Sequence, residues 1–257
     1  MEQLEQHFRP EERPFVERMA EWAELVRERH HPRLTPFLNP REQLIIRSVV
    51  GHAPDVKVKL WGGFQQAERK RAWIIPDYLD VTWDEFQLAL LNIKASQWVN
   101  VTHRDVLGSL LGLGLKREVV GDILITPETI QVIVVQEMEE YIRLHLTRIG
   151  RHQVQAEKAD WSALTVPEEE WQAVTAIVSS LRLDVIVAEC TRQSRTKAVQ
   201  LIESGRVKVN WKVEDRPAEV LKEGDTISIK GYGRFLFQEI DRKTRKDKFR
   251  IHLGFKK

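Results

Sequence analysis

The chain has a single cysteine, Cys190, in 257 residues, which excludes an internal disulfide and any metal site built from several cysteines. No apolar run approaches the roughly 20 residues that a membrane span requires. The stretch from Met1 to Pro14 is too charged for a signal peptide. No repeat and no low-complexity tract is evident. Recognisable catalytic signatures are missing as well. His103-Arg104-Asp105 imitates a kinase catalytic loop, but position 110 is leucine where a metal-binding asparagine would stand, and no glycine-rich phosphate loop precedes it. Gly112-Leu113-Gly114 follows an expected helix instead of linking strand to helix, so a helix-ending turn explains it better than a dinucleotide site. His30-His31 has no further Cys or His at ligand spacing, and no G-x-S-x-G marks a nucleophile elbow. These absences leave a soluble cytoplasmic protein with no catalytic residues, cofactor, metal or small-molecule substrate as the expectation.

At 30.1 kDa and 42% hydrophobic residues the chain is globular and longer than one core comfortably serves, so two or three domains are expected. The net charge of +2 hides an asymmetry. Residues 1–179 carry 21 basic and 27 acidic side chains, a net of −6, whereas residues 180–257 carry 19 basic and 11 acidic, a net of +8. A basic terminal third has the footprint of a binder of nucleic acid or another acidic surface, with a merely solvated basic face as the alternative.

Three domains are expected within an α+β fold: 1–80, 81–165 and 180–257. In the first, Phe15, Met19, Trp22 and Val26 recur at helical spacing, and Asn39-Pro40 opens a second helix carrying Leu44, Ile45 and Val49 inward. Val56, Val58 and Leu60 alternate as a strand, Gly62-Gly63 breaks it, and 72–75 returns. Between them, Glu68-Arg69-Lys70-Arg71 is a basic cluster that meets either phosphate or solvent. In the second domain, Phe86, Leu88 and Leu90 suggest a strand and Thr102 caps a helix to about Leu113. Strands follow at 122–125 and 130–135, then a helix over about 137–149 and a strand over 152–158. This order is the split βαβ arrangement of ferredoxin-like and RRM-like modules, although no aromatic-rich RNP1 pattern is present. Pro167 and the three glutamates after it mark the boundary to the last domain.

There, Leu183, Ile186, Val187 and Cys190 make one short amphipathic helix, with Cys190 a small core residue. Ser194 caps a second helix that carries Ala198, Leu201 and Ile202 and ends at Gly205. Arg195 and Lys197 occupy its first turn, where the macrodipole disfavours cations; with Arg192 they form an anion site suited to a phosphate backbone. Strands follow around 207–209 and 227–229, and a hairpin pairs Phe235 and Phe237 with Phe249, Ile251 and Leu253 through the basic tip 242–246.

Arg182-Leu183-Asp184, Ser194-Arg195 with Ala198 and Ile202, Gly205-Arg206-Val207-Lys208-Val209-Asn210 and Gly224-Asp225-Thr226-Ile227 together resemble the S4 RNA-binding domain over about 50 residues. Trp211 departs from the pattern, since many members have glycine after the asparagine; it either stacks on a base or is buried against the second helix. Upstream, Gly62-Gly63-Phe64, Ala67-Glu68-Arg69, 102–108, 113–117 and Gly121-Asp122-Ile123 resemble the YlmH family, also called RqcP, and the motifs span most of the chain. The resemblance implies a non-enzymatic protein bound to 23S rRNA of the large ribosomal subunit and to the peptidyl-site tRNA, where it assists RqcH in adding alanine tails to stalled chains. A ribosome assembly factor, or a member of the photosynthetic branch linked to photosystem biogenesis, is the alternative. An RNA-modifying enzyme is a third class, because Arg182-Leu183-Asp184 resembles the surroundings of a pseudouridine synthase's catalytic Asp; within the helix opening the binding module, Asp184 is expected instead to cap or pair locally. The expected RNA contacts are Arg182, Arg192, Ser194, Arg195, Lys197, Arg206, Lys208, Asn210 and Lys212. A secondary RNA or partner surface is expected at Arg69, Lys70, Arg71, Arg104, Lys116, Arg117, Arg242, Lys243, Arg245 and Lys246.

Overall fold

The computed structural model describes residues 8–95, 101–168, 171–243 and 248–256. The chain divides into two compact units, 1–167 and 168–257.

The first unit opens with helix α1, Arg13–Arg29, which buries Val16, Met19, Ala23 and Val26 and ends where His30 turns left-handed at φ 54°. A short strand β1, Arg33–Leu34, follows, then α2, Pro40–Val50. Asn39 caps α2 reciprocally: its side chain accepts the Glu42 amide, and the Glu42 carboxylate accepts the Asn39 amide at 2.7 Å. Both helices pack on the sheet formed by β1, β2 (Val56–Trp61) and β3 (Arg71–Pro76), with β3 in the middle.

Strand β4, Leu88–Ala95, begins two residues after Phe86, which sits instead in a 3-10 turn, Asp84–Phe86. Helix α3, His103–Gly112, is capped by Thr102 and stops as Gly114 turns to φ 84°. Strands β5 (Val120–Ile125) and β6 (Ile130–Val135) follow. The helix expected over 137–149 is shorter: α4 covers Glu139–His145, and Arg148–Ile149 is a strand, β7, in a tight hairpin with β8, His152–Ala159. Gly150, at φ 56°, makes that reversal possible and Ile149 is fully buried by it. The sheet runs β5-β6-β4-β8-β7, all antiparallel, which is the ferredoxin-like order for the four main strands.

One face of this sheet packs under α3 and α4 through Leu91, Ile93, Val132 and Val134. The other face, which RRM modules leave open for RNA, is covered. Leu90, Ile133 and Val135 pack with Phe37, Phe64 and Leu164, and Gln131, 2% exposed, binds the backbone of Ala163 and Thr165.

The second unit begins with a strand that no sequence pattern flagged, β9, Gln172–Val178. Helices α5 (Leu183–Thr191) and α6 (Arg195–Glu203) follow, then β10 (Val207–Val209), β11 (Lys212–Val213), β12 (Thr226–Ile229), β13 (Gly233–Lys243) and β14 (Phe249–Lys256). The sheet order is β11-β10-β12-β13-β14-β9. Its core joins Leu183, Ile186 and Val187 of α5 and Ala198, Leu201 and Ile202 of α6 to Val207, Ile227, Phe235, Phe237 and Leu253. Cys190 packs against this core, and burial pushes its thiol up to about 12, leaving no nucleophilic thiolate near neutral pH.

Candidate nucleic-acid interface

In the C-terminal unit the two helices and the loop joining them carry the expected cations. Arg182 precedes the first residue of α5, Arg192 closes the helix in a left-handed conformation at φ 53°, and Arg195 begins α6. Beneath them sits Asp184, 2% exposed. Its carboxylate accepts from Arg182 Nε at 3.1 Å and Nη2 at 3.2 Å, from Arg195 Nε at 2.9 Å, and from the Val185 amide at 3.0 Å. Burial alone would raise the Asp184 pKa, but the hydrogen bonds from Arg182 and then Arg195 outweigh it and hold the carboxyl below its ordinary range. Both guanidiniums keep much of their surface in water, with side chains 39% and 57% exposed. One buried carboxylate thus aims two arginines outward and leaves the cluster with a net positive charge. Asp184 pairs locally, as its helix position leads one to expect.

Ser194 Oγ accepts the Lys197 amide at 3.2 Å, so this hydroxyl caps α6. The first turn of α6 holds no acid, and Arg192, Arg195 and Lys197 are all exposed around it. Arg206 is exposed and donates to the Lys230 carbonyl at 3.3 Å; Lys208 is exposed on β10, and Lys212 is half-buried on β11. Asn210 proves structural: its amide donates to Asp225 Oδ1 at 2.8 Å and its Oδ1 accepts the Thr226 amide at 2.9 Å, tying the β10–β11 turn to β12. Asn210 and Trp211 are the two residues of that turn, at φ 49° and 63°. The Trp211 ring lies 5.4 Å from the guanidinium of Arg234 on β13, a neighbour that no local sequence motif indicates.

The expected secondary surface largely dissolves into architecture. Arg71 is 9% exposed and donates to the carbonyls of Thr35 at 2.8 Å, Phe86 at 2.9 Å and Gln87 at 3.2 Å; desolvation lowers its pKa to about 10. Arg69 reaches the Val120 and Phe37 carbonyls at 3.1 and 2.9 Å. Arg117 binds the Val120 and Gly121 carbonyls, and burial lowers it to about 10. Asp122, its pKa raised by burial, accepts the amides of Glu68 at 2.7 Å and Arg69 at 2.9 Å. Lys70 donates to the Gln65 carbonyl at 3.0 Å. A Cβ on Gly62 would meet the Arg69 carbonyl at 2.3 Å, and one on Gly121 the Phe37 ring at 2.7 Å. The motifs at 62–64, 67–69, 113–117 and 121–123 therefore converge on one staple between the two sheets of the first unit. Arg69 and Arg71 donate across this seam and Arg117 donates to carbonyls of its own segment, so all three guanidiniums are engaged by backbone. Arg104 and Lys116 are exposed, and Arg104 lines an open cleft of about 520 Å³ with Gly108, Gly112, His145 and Arg148. Arg242 is exposed on β13, Lys243 ends that strand, and Arg245 and Lys246 lie outside the described residues.

Among the described residues no group of three or more His, Cys, Asp or Glu is placed to hold a metal ion. None of their helices is long and apolar enough to cross a membrane. Two short helices on a basic sheet, with cations ranged about the second helix's first turn, define an RNA-binding module of the S4 class. The S4 domain family matches residues 181–227. Two further models match upstream: "YlmH, N-terminal" over 11–79 and "Putative RNA-binding domain in YlmH" over 82–163. The chain is 42% identical over 252 residues, 98% of each sequence, to "Ribosome-associated protein quality control protein P2" of Bacillus subtilis (strain 168). It is also similar to the solved structure of "Cell division protein ylmH from Streptococcus pneumoniae", with a TM-score of 0.55 and 29% identity, covering 63% of this chain and 98% of that one. The chain belongs to the YlmH family of S4-domain proteins.

Proposed function

We propose that this protein is a non-enzymatic, cytoplasmic RNA-binding factor that grips the large (50S) ribosomal subunit through 23S rRNA and the peptidyl-site tRNA. There it assists RqcH in adding alanine to the C-termini of stalled nascent chains. The observation that carries the reading is the cation cluster of the C-terminal unit, in which Asp184 fixes Arg182 and Arg195 while Arg192 and Lys197 stand exposed about the first turn of α6. Such contacts recognise phosphates and shape instead of base sequence, as a folded rRNA or tRNA surface demands. The covered face of the ferredoxin-like sheet supports assigning the main RNA grip to the C-terminal unit. The name of the Bacillus subtilis relative supports the pathway.

The test is co-sedimentation with purified large subunits. Arg192→Ala with Lys197→Ala removes two exposed cations without touching the Asp184 pairs. Affinity should fall, and the log-log salt slope should shrink by about 0.7–0.9 for each phosphate that is no longer neutralised. Unchanged binding and an unchanged slope would refute the assignment. Cryo-EM of native particles recovered with the protein tests the pathway: peptidyl-tRNA with RqcH is the expected content, and immature rRNA would indicate assembly instead.

A further inference from the structure

Trp211 is an unfavourable residue for its position. A two-residue hairpin turn with φ positive at both central residues is built for Asn, Asp or Gly. Asn210 meets that demand and is locked by its bonds to Asp225 and Thr226. Trp211, at φ 63°, does not, because a bulky side chain in the left-handed region meets its own backbone. Glycine would relieve the strain, and persistent strain of this kind is characteristic of binding and catalytic sites.

What the strained turn achieves is placement of an indole. The ring is half-buried at the tip of the β10–β11 turn with the Arg234 guanidinium 5.4 Å from its centroid. Strand register puts Lys208 opposite Ser228, Ser228 opposite Arg234, and Arg234 opposite Lys256, a single row across four strands. That row alternates with Val207, Ile227, Phe235 and Phe255, which pack against the core, so it lies on the sheet face turned away from the helices. An aromatic plate against one cation, which itself stands in a row with others, combines the two elements that hold single-stranded nucleic acid. The base stacks on the ring and the neighbouring phosphates meet the cations.

We propose that Trp211 stacks on an unpaired nucleobase of a structured RNA, with Lys208 and Arg234 taking the flanking phosphodiesters. The inference rests on the RNA-binding reading above and adds to it a contact that is not a phosphate contact. The experiment compares the full-length protein with Trp211→Gly, Trp211→Phe and Trp211→Leu, measuring affinity for purified large ribosomal subunits across a salt series together with thermal stability. Trp211→Gly should melt no lower than the wild type yet bind about 5- to 100-fold more weakly. Its salt slope should be unchanged, because losing a stacked base releases no counterions. Phenylalanine should retain most of the affinity, and leucine, which has bulk without a π face, should behave like glycine. Wild-type affinity in Trp211→Gly or Trp211→Leu, or a loss of affinity that tracks a loss of stability, would overturn the proposal. Failure of the wild-type protein to bind at all would overturn the RNA-binding reading itself.

Discussion

Replacing Asp184 by asparagine keeps the side chain's size but removes its charge and turns one of its two accepting oxygens into a donor, which tests what the carboxylate contributes. In the native structure it is 2% exposed and accepts three guanidinium hydrogen bonds and one backbone amide. Removing one partner of a fully buried ion pair costs about 3–5 kcal/mol. Here the arginine side chains are 39% and 57% exposed, so water re-solvates them once the carboxylate charge is gone. The loss should therefore approach that of one charge-assisted hydrogen bond, about 1.5–3 kcal/mol. Urea denaturation at pH 7 should show this as a lower midpoint with an unchanged slope. The pH dependence supplies a second check. Because the folded-state pKa of Asp184 is depressed, the stabilisation is complete above its unfolded value of about 3.9 and disappears as pH falls through the lower folded value. The difference between wild type and Asp184→Asn should be constant from pH 5 to 8 and shrink below about pH 4. A difference under about 0.5 kcal/mol at pH 7, or one that persists undiminished in acid, would refute the account.

Further substitutions test other parts of the structure. Arg71→Met should destabilise the first unit by about 3 kcal/mol, because it strips the donor from three carbonyls in a site where water has little access; chemical denaturation reads this. Gly121→Ala drives a methyl against the Phe37 ring and should cost about 1–3 kcal/mol by the same assay. Ser194→Ala removes the α6 cap and should cost about 1 kcal/mol, measured by thermal melting. Cys190 should resist iodoacetamide at pH 8 in the native protein and react once urea unfolds it; native-state alkylation at the rate of a free thiol would contradict its burial.

Much of the fold is legible in the sequence where one physical signal dominates. The spacing of Met19 and Val26, the Asn39-Pro40 start, the Thr102 cap and the Leu183–Ile186–Val187 pattern each announce an element through local chemistry, and each element is present. Strand β9 is not legible. Only Ala176 and Val178 of its seven residues are buried, so it lacks the alternation that marks a half-buried strand, and its hydrogen-bonding partner begins 71 residues later, at Phe249. The candidate site divides in the same way. Charge excess and helix capping single out Arg192, Arg195 and Lys197 as the proposed phosphate contacts because both are local properties. Arg69, Arg71 and Arg117 look identical to them in sequence, yet their acceptors are backbone carbonyls up to 51 residues away, among them Thr35, Phe86 and Val120. Only tertiary structure separates an arginine that folds the chain from one that meets a partner.

Strand β9 also bears on where this RNA-binding unit can be cut. The S4 family match starts at residue 181, but β14 pairs along its length with Gln172–Val178. A fragment that starts at residue 181 and runs to the end of β14 would lose that cover and expose a row of unsatisfied amides and carbonyls from Phe249 to Phe255, a template for pairing with other chains. The transplantable piece of this protein therefore starts before its recognisable motif. A graft onto another scaffold that honours the motif's edge instead of the sheet's would be expected to precipitate.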